Sequence, residues 1–274
     1  VQVVRTIADL RRAAASHRDM TLVPTMGNLH EGHLSLVRRA RERGGGVVAS
    51  VFVNRLQFAP HEDFAKYPRT LERDCELLAA AGCDIVFAPP EEELYPEPQE
   101  YKVHPPGRLA DILEGQVRPG FFIGVCTVVL KLFNIVRPAA AVFGKKDYQQ
   151  LLVIEDMVRQ LSLPIDIVPA ETVRASSGLA LSSRNGYLNE AELIEAAQLN
   201  TALGGVAAAL KSGRTDWAAL EQQASAALTV RGWRPDYVAI RRIGDLGEPD
   251  GGDRLVVLAA AKLGSTRLID NLEV

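Results

Sequence analysis

The 274-residue chain predicts an α/β fold, a doubly wound, mostly parallel Rossmann-like sheet followed by a smaller C-terminal α+β domain. Three observations lead there. Through about residue 170, short apolar runs alternate with segments whose leucines, valines and alanines recur at helical spacing, the rhythm of a parallel sheet covered by helices. After residue 173 an alanine-rich helical stretch and a second helix are followed by successive strands. Between them, residues 89–119 form a proline- and acid-rich excursion that breaks the alternation. The first domain is therefore expected over 1–172 and the second over 173–274.

In order, strands are expected over 1–4, 21–23, 47–53, 85–88, 141–143 and 165–168, with helices over 7–16, 33–43, 70–81, 124–136 and 148–161. The excursion contributes one short strand over 101–103. The second domain reads as helices 191–211 and 217–228, then strands 237–240, 255–260 and 267–269. In a doubly wound sheet, ligands bind beyond the carboxyl ends of the strands where the strand order reverses. Loops 24–32, 54–58 and 144–147 each follow a strand and hold the informative polar residues.

Composition narrows the function classes. No apolar stretch reaches the roughly 18 to 20 residues that span a bilayer, and the N-terminus lacks a secretory signal pattern, so a cytosolic location without a membrane partner is expected. Cys75, Cys83 and Cys126 have no CxxC spacing and read as reduced, mostly buried thiols. A net charge of −3 gives no drive toward nucleic acid.

The most informative junction is Pro24-Thr25-Met26-Gly27 leading into His30-Glu31-Gly32-His33. An apolar strand ends here and an amphipathic helix begins, so both histidines fall near a helix N-terminus. There, free backbone N–H groups and the helix dipole favour phosphate, and imidazoles donate to oxygens gaining charge. A zinc site of the metalloprotease kind needs its histidines four apart, and these are three apart. A purely structural turn is the other reading of the pair alone.

Three further clusters follow. Asn54 and Gln57 stand directly after a buried strand, where amides suit a neutral polar substrate or simply hydrogen-bond their own loop. Gly144-Lys145-Lys146-Asp147 opens a helix that also carries Gln150, which fits phosphate binding or a capped surface helix. Leu181-Ser182-Ser183-Arg184-Asn185 offers two hydroxyls and a guanidinium to a triphosphate, or forms a polar hinge, and Arg118 is a weaker candidate for the same anion.

Taken together these segments resemble the pantothenate synthetases, the pantoate–β-alanine ligase family of the nucleotidyltransferase superfamily. The resemblance covers nearly the whole chain. It adds Tyr67-Pro68-Arg69-Thr70, Lys131-Leu132-Phe133-Asn134-Ile135-Val136 and the terminal Arg267-Leu268-Ile269-Asp270-Asn271-Leu272 to the motifs above. It implies a cytosolic homodimeric ligase that uses ATP and Mg²⁺ to condense (R)-pantoate with β-alanine through pantoyl adenylate, releasing AMP and pyrophosphate.

The resemblance also implies roles. Met26, Gly27, Asn28, Leu29, His30, Glu31, Gly32 and His33 form the ATP loop, with His33 the proton donor and His30 beside the phosphates. Gly144, Lys145, Lys146 and Asp147 surround the nucleotide, and Val173, Leu181, Ser182, Ser183 and Arg184 complete the ATP site from a closing second domain. Lys146 and Arg184 act with the histidines in catalysis. Gln57, Gln150 and Asn54 bind pantoate, Gln57 also binds β-alanine, and no Mg²⁺ ligand is assigned. Arg55, Phe121, Lys145, Ala139 and Ser177 depart from the family pattern, at positions where it has proline, histidine, glutamate and two aspartates. Two other functions fit parts of the pattern: a nucleotidyltransferase releasing a stable nucleotide-linked product, and a non-catalytic nucleotide-binding homologue.

Overall fold

A computed structural model describes residues 1–59, 64–252 and 254–274. The chain divides into two compact units, one of residues 1–145 and 153–171 and the other of residues 146–152 and 172–274.

In the first unit the elements run β1 (Gln2–Val4), α1 (Ile7–Ala14), β2 (Met20–Thr25), α2 (Glu31–Arg41), β3 (Gly46–Val51), α3 (Leu71–Ala80) and β4 (Ile85–Phe87). Three short helices follow, α4 (Glu91–Leu94), α5 (Gly107–Ala110) and α6 (Glu114–Val117), then α7 (Phe121–Val136) and β5 (Ala140–Gly144). Helix α8 (Tyr148–Gln160) begins in the second unit and ends in the first, before β6 (Asp166–Ala170). The six strands lie in the order β1-β4-β3-β2-β5-β6, and every pairing is parallel. From β2 the chain winds one way through β3 and β4, then crosses back to place β5 on the other side of β2. The order therefore reverses between β2 and β5, and loop 26–30 and Gly144-Lys145 leave the sheet at that point.

Both faces of the central strands are largely apolar, as a covered parallel sheet requires. Val23, Ala49, Val86 and Val142 pack with Val37 and Ala40 of α2 and Leu78 of α3. The alternating residues Leu22, Val48, Phe87 and Ala141 are equally buried and point the other way by the period of two. Each fully buried aliphatic side chain contributes roughly 1.5–3 kcal/mol. Cys83 and Cys126 are buried and Cys75 half-buried, all three free; burial pushes the Cys83 thiol up to about 11 and Cys126 up to about 12.

One expected element is absent. Residues 101–103 form no strand; the Val103 N–H donates instead to the Thr127 hydroxyl of α7 at 3.0 Å, which removes it from any ladder. Helix α7 also starts at Phe121, three residues before the expected Gly124.

The second unit contains α9 (Glu190–Lys211), α10 (Trp217–Val230), β7 (Arg234–Arg242), β8 (Leu255–Leu263) and β9 (Thr266–Glu273). The strands form an antiparallel sheet in sequence order. Leu199 and Leu203 of α9 and Leu220 and Leu228 of α10 pack with Trp233, Ile240 and Val257 to make its core. Helix α9 is, by length and composition alone, long and apolar enough to cross a membrane. Its apolarity is largely alanine, and one face of it is built into this core.

Candidate active site

The loop after β2 is held by its own polar groups. The Thr25 hydroxyl donates to the Ser50 carbonyl at 2.7 Å and accepts from the Gly27 amide at 3.3 Å. Gly27 and Asn28 both take left-handed backbone conformations (φ 81° and 51°), which turns the next two amides toward α3. There the Asp74 carboxylate, 0% exposed, accepts from the Asn28 amide at 3.0 Å, the Leu29 amide at 2.9 Å and the Thr70 hydroxyl at 3.1 Å. A Cβ on Gly27 would lie 3.0 Å from Asp74 Oδ2 and from Val51, a tight fit at a left-handed φ that favours glycine. The sequence reading did not single out Asp74.

The histidines cap α2. His30 is the N-cap residue, its Nδ1 accepting from the Gly32 amide at 3.1 Å, while His33 Nδ1 accepts a long bond of 3.4 Å from the His30 amide. The two rings lie 4.1 Å apart, centroid to centroid. Most of the N–H groups expected to be free at this helix end are engaged: the Gly32 and His30 amides are taken by the histidines, and the His33 and Leu34 amides donate to the His30 carbonyl. With Nδ1 accepting in each ring, Nε2 is left as the donor position. Glu31 is exposed and pairs with Arg38.

The loop after β3 is tied to this one. Gln57 Nε2 donates to Met26 Sδ at 3.2 Å, and Gln57 Oε1 accepts from Asn54 Nδ2 at 3.1 Å. Asn54 is 1% exposed and fully engaged: its Nδ2 also donates to the Gly124 carbonyl, and its Oδ1 accepts from the Tyr95 hydroxyl at 2.9 Å and the Leu56 amide. Its geometry makes it the support of Gln57, whereas Gln57 itself is half-buried. Helix α7 approaches so closely that a Cβ on Gly124 would lie 2.2 Å from the Leu56 carbonyl. A cleft of about 340 Å³ borders Gln57, lined also by Lys102, His104, Arg118 and Phe121. A larger one, about 670 Å³, lies at the amino ends of β2 and β5 beside Met20 and Ala139, away from the strand ends that carry the histidines and amides.

The departures acquire definite surroundings. Arg55 turns outward to a bidentate pair with Glu91 at 2.9 and 3.1 Å, holding that carboxyl below its usual range, and lies over the Phe64 ring. Phe121 carries the Arg118 guanidinium 3.8 Å above its ring, and Arg118 donates to the Gln57 carbonyl at 3.2 Å. Lys145 pairs with Glu171 at 2.6 Å. Ala139 and Ser177 are exposed.

The second unit holds the other expected residues. Lys146 is half-buried and Asp147 exposed, at the end of a short 3-10 turn; Gln150 is half-buried one turn into α8. No carboxylate among the described residues pairs with Lys146 or Arg184. The segment 173–181 folds back on itself: Leu181 donates to the Val173 carbonyl, Arg174 bridges Ala180, and Gly178 (φ 89°) makes the turn. Ser182 then caps a 3-10 helix (Ser183–Tyr187), its hydroxyl accepting from the Arg184 amide, and Asn185 ties the loop to the Ala180 carbonyl. Among the described residues, no group of three or more His, Cys, Asp or Glu side chains is placed to hold a metal ion.

A family model for pantoate-beta-alanine ligase matches residues 2–273. A pantothenate synthetase of Leptothrix cholodnii is 60% identical, with both chains covered completely. The crystal structure of pantothenate synthetase from Thermus thermophilus has a TM-score of 0.94 at 46% identity, covering 100% of this chain and 99% of that one. That of pantoate-beta-alanine ligase from Francisella tularensis, complexed with beta-gamma ATP and beta-alanine, has a TM-score of 0.85 at 31% identity over 100% and 97%. Capped histidines, a supported glutamine and matches of this extent lead to one conclusion: the chain belongs to the pantoate-beta-alanine ligase family.

Proposed function

We propose that the chain joins (R)-pantoate to β-alanine in two steps through pantoyl adenylate. A pantoate carboxylate oxygen attacks the α-phosphorus of ATP, the bond to the β-phosphate oxygen breaks, and pyrophosphate leaves with the electron pair. The neutral amine of β-alanine then attacks the acyl carbon, AMP leaves with one former carboxylate oxygen, and the amine loses a proton. Neither step needs a protein nucleophile. Both depend on placing reactants and on countering charge that builds on phosphate oxygens.

The observation that carries this reading is the paired use of His30 and His33 Nδ1 in the α2 cap. Accepting backbone N–H groups at Nδ1 leaves Nε2 of His30 and His33 as the donor position, so both serve as preorganised donors. His33 is the donor to the phosphate undergoing attack, and His30 is its neighbour. Gln57, supported by Asn54, takes pantoate and faces β-alanine, with Gln150 the second pantoate amide. Met26 to His33 and Gly144 to Asp147 receive the nucleotide, as do Val173 and Leu181 to Arg184. Lys146 and Arg184 counter the triphosphate charge, while Lys145 is already neutralised by Glu171.

Mg²⁺ would accompany ATP and offset charge on its phosphate oxygens. The reading includes a cytoplasmic homodimer with small-molecule substrates. AMP release that requires both pantoate and β-alanine is the expected result. ATP consumption without AMP contradicts it, and an adenylyl product that persists in the presence of the amine favours a nucleotidyltransferase instead.

A further inference from the structure

The terminal motif Asp270-Asn271 has no part in the chemistry above, yet both side chains are buried, 4% and 6% exposed, on the outer strand β9. Asp270 accepts two parallel bonds from Arg174, Nη1 to Oδ2 at 2.7 Å and Nη2 to Oδ1 at 2.8 Å. Asn200 Nδ2 donates to the same Oδ2 at 3.1 Å, and the Asn271 amide donates to Oδ1 at 2.8 Å. Arg174 also donates to the Gly178 carbonyl at 3.1 Å and the Asn271 carbonyl at 3.0 Å. The guanidinium thus fixes both ends of the turn that delivers Leu181 to Arg184.

The neighbouring side chain reaches a different segment. Asn271 Nδ2 donates to the Lys146 carbonyl at 2.9 Å, and two residues further on Glu273 accepts from the Tyr148 hydroxyl at 3.0 Å. Over four residues, β9 therefore grips the segment bearing Lys146 and, through Arg174, the turn that leads on to Arg184. An apolar pair would fill the same space without the cost of burying a charge. What a bidentate pair adds is orientation.

We propose that Asp270 and Asn271 are positioning residues that set Lys146 and Arg184 relative to one another, within the second unit, for a triphosphate bound by both. This rests on the reading that Lys146 and Arg184 act on ATP phosphates, so its test separates the two claims. Single-turnover formation of the adenylate from ATP and pantoate is measured for the full chain, for Asn271→Ala, for Lys146→Ala and for the double variant, alongside KM for each substrate and thermal unfolding. Asn271→Ala is expected to lower the adenylation rate or raise the ATP KM by about tenfold, leaving the pantoate KM within about twofold. On the Lys146→Ala background the same change is expected to cost less than about twofold, because the tie acts through Lys146. Arg174→Lys, which keeps the charge without the fork, is expected to follow the ATP pattern of Asn271→Ala.

A Lys146→Ala variant that adenylates normally overturns the reading of Lys146 and the positioning claim with it. A slow Lys146→Ala beside a normal Asn271→Ala overturns the positioning claim alone. So does an equal loss from Asn271→Ala on both backgrounds, which is the signature of general destabilisation.

Discussion

His33 Nδ1 accepts from the backbone amide of His30 while His30 Nδ1 accepts from that of Gly32, and the two rings sit 4.1 Å apart. One pair of side chains thereby caps α2 and fixes two Nε2 donor positions at the mouth of the strand order reversal. The two jobs separate by substitution. Asparagine reaches about as far as Nδ1 and keeps the cap, so His33→Asn should fold normally while adenylation slows roughly 10²- to 10³-fold, the usual loss for one transition-state donor. His33→Ala should lose the cap as well, at about 1 kcal/mol in denaturant unfolding. Normal turnover of His33→Asn in a stopped-flow adenylation assay removes Nε2 from the mechanism.

Asp74 places three donors from two elements on one buried carboxylate. Asp74→Asn turns one acceptor oxygen into an NH₂ group facing a backbone N–H or the Thr70 hydroxyl. A stability loss of about 1–3 kcal/mol is expected, together with a raised ATP KM and little change for pantoate. Equal rises in both KM values would show that Asp74 supports the whole unit instead of the nucleotide loop.

Gly124 permits the contact between α7 and the Gln57 loop, where a Cβ would meet the Leu56 carbonyl at 2.2 Å. Gly124→Ala should push residues 55–57 outward and cost on the order of 10²-fold in kcat/KM for pantoate, since displacements near 1 Å have that effect. ATP affinity by calorimetry should barely move. Unchanged pantoate kinetics would mean that Gln57 does not need its present position.

Glu155, half-buried in α8, has its carboxyl pushed above the ordinary value by burial. A raised folded-state pKa contributes stability below the unfolded pKa, and this is lost as pH rises through the folded value. Glu155→Gln should therefore be more stable than the parent at neutral pH, with the difference closing toward about pH 4. A variant no more stable at pH 7 in urea titrations would contradict this.

Much of this was legible in local pattern, and the remainder was not for identifiable reasons. The strand ending at Thr25 and the glycine–histidine turn beyond it are a change of period readable over a dozen residues, and all six parallel strands were visible in the same way. The start of α2 at Glu31 was not, because a histidine N-cap falls outside the usual Ser, Thr, Asp and Asn set. Asp74 shares a helical face with Leu71 and Leu78, and a lone acid on a buried stripe implies a partner. Its backbone partners lie 45 and 46 residues away, at Leu29 and Asn28, a separation that no local window spans. Tyr101-Lys102-Val103 has strand composition, but the Thr127 side chain occupies its amide. Gly124 read as a helix boundary, whereas its need is tertiary: the approach of Leu56. Asn54 and Gln57 were found together, while the division between support and substrate contact depends on Tyr95 and Gly124.

The central claim, that pantoate is activated as an acyl adenylate, is tested most directly by isotope transfer. Pantoate carrying ¹⁸O in both carboxylate positions is turned over with ATP and β-alanine, and the products are weighed by mass spectrometry. Attack on the α-phosphorus followed by aminolysis predicts one ¹⁸O in AMP and one in pantothenate. Unlabelled AMP, or label in inorganic phosphate with ADP as co-product, would contradict it.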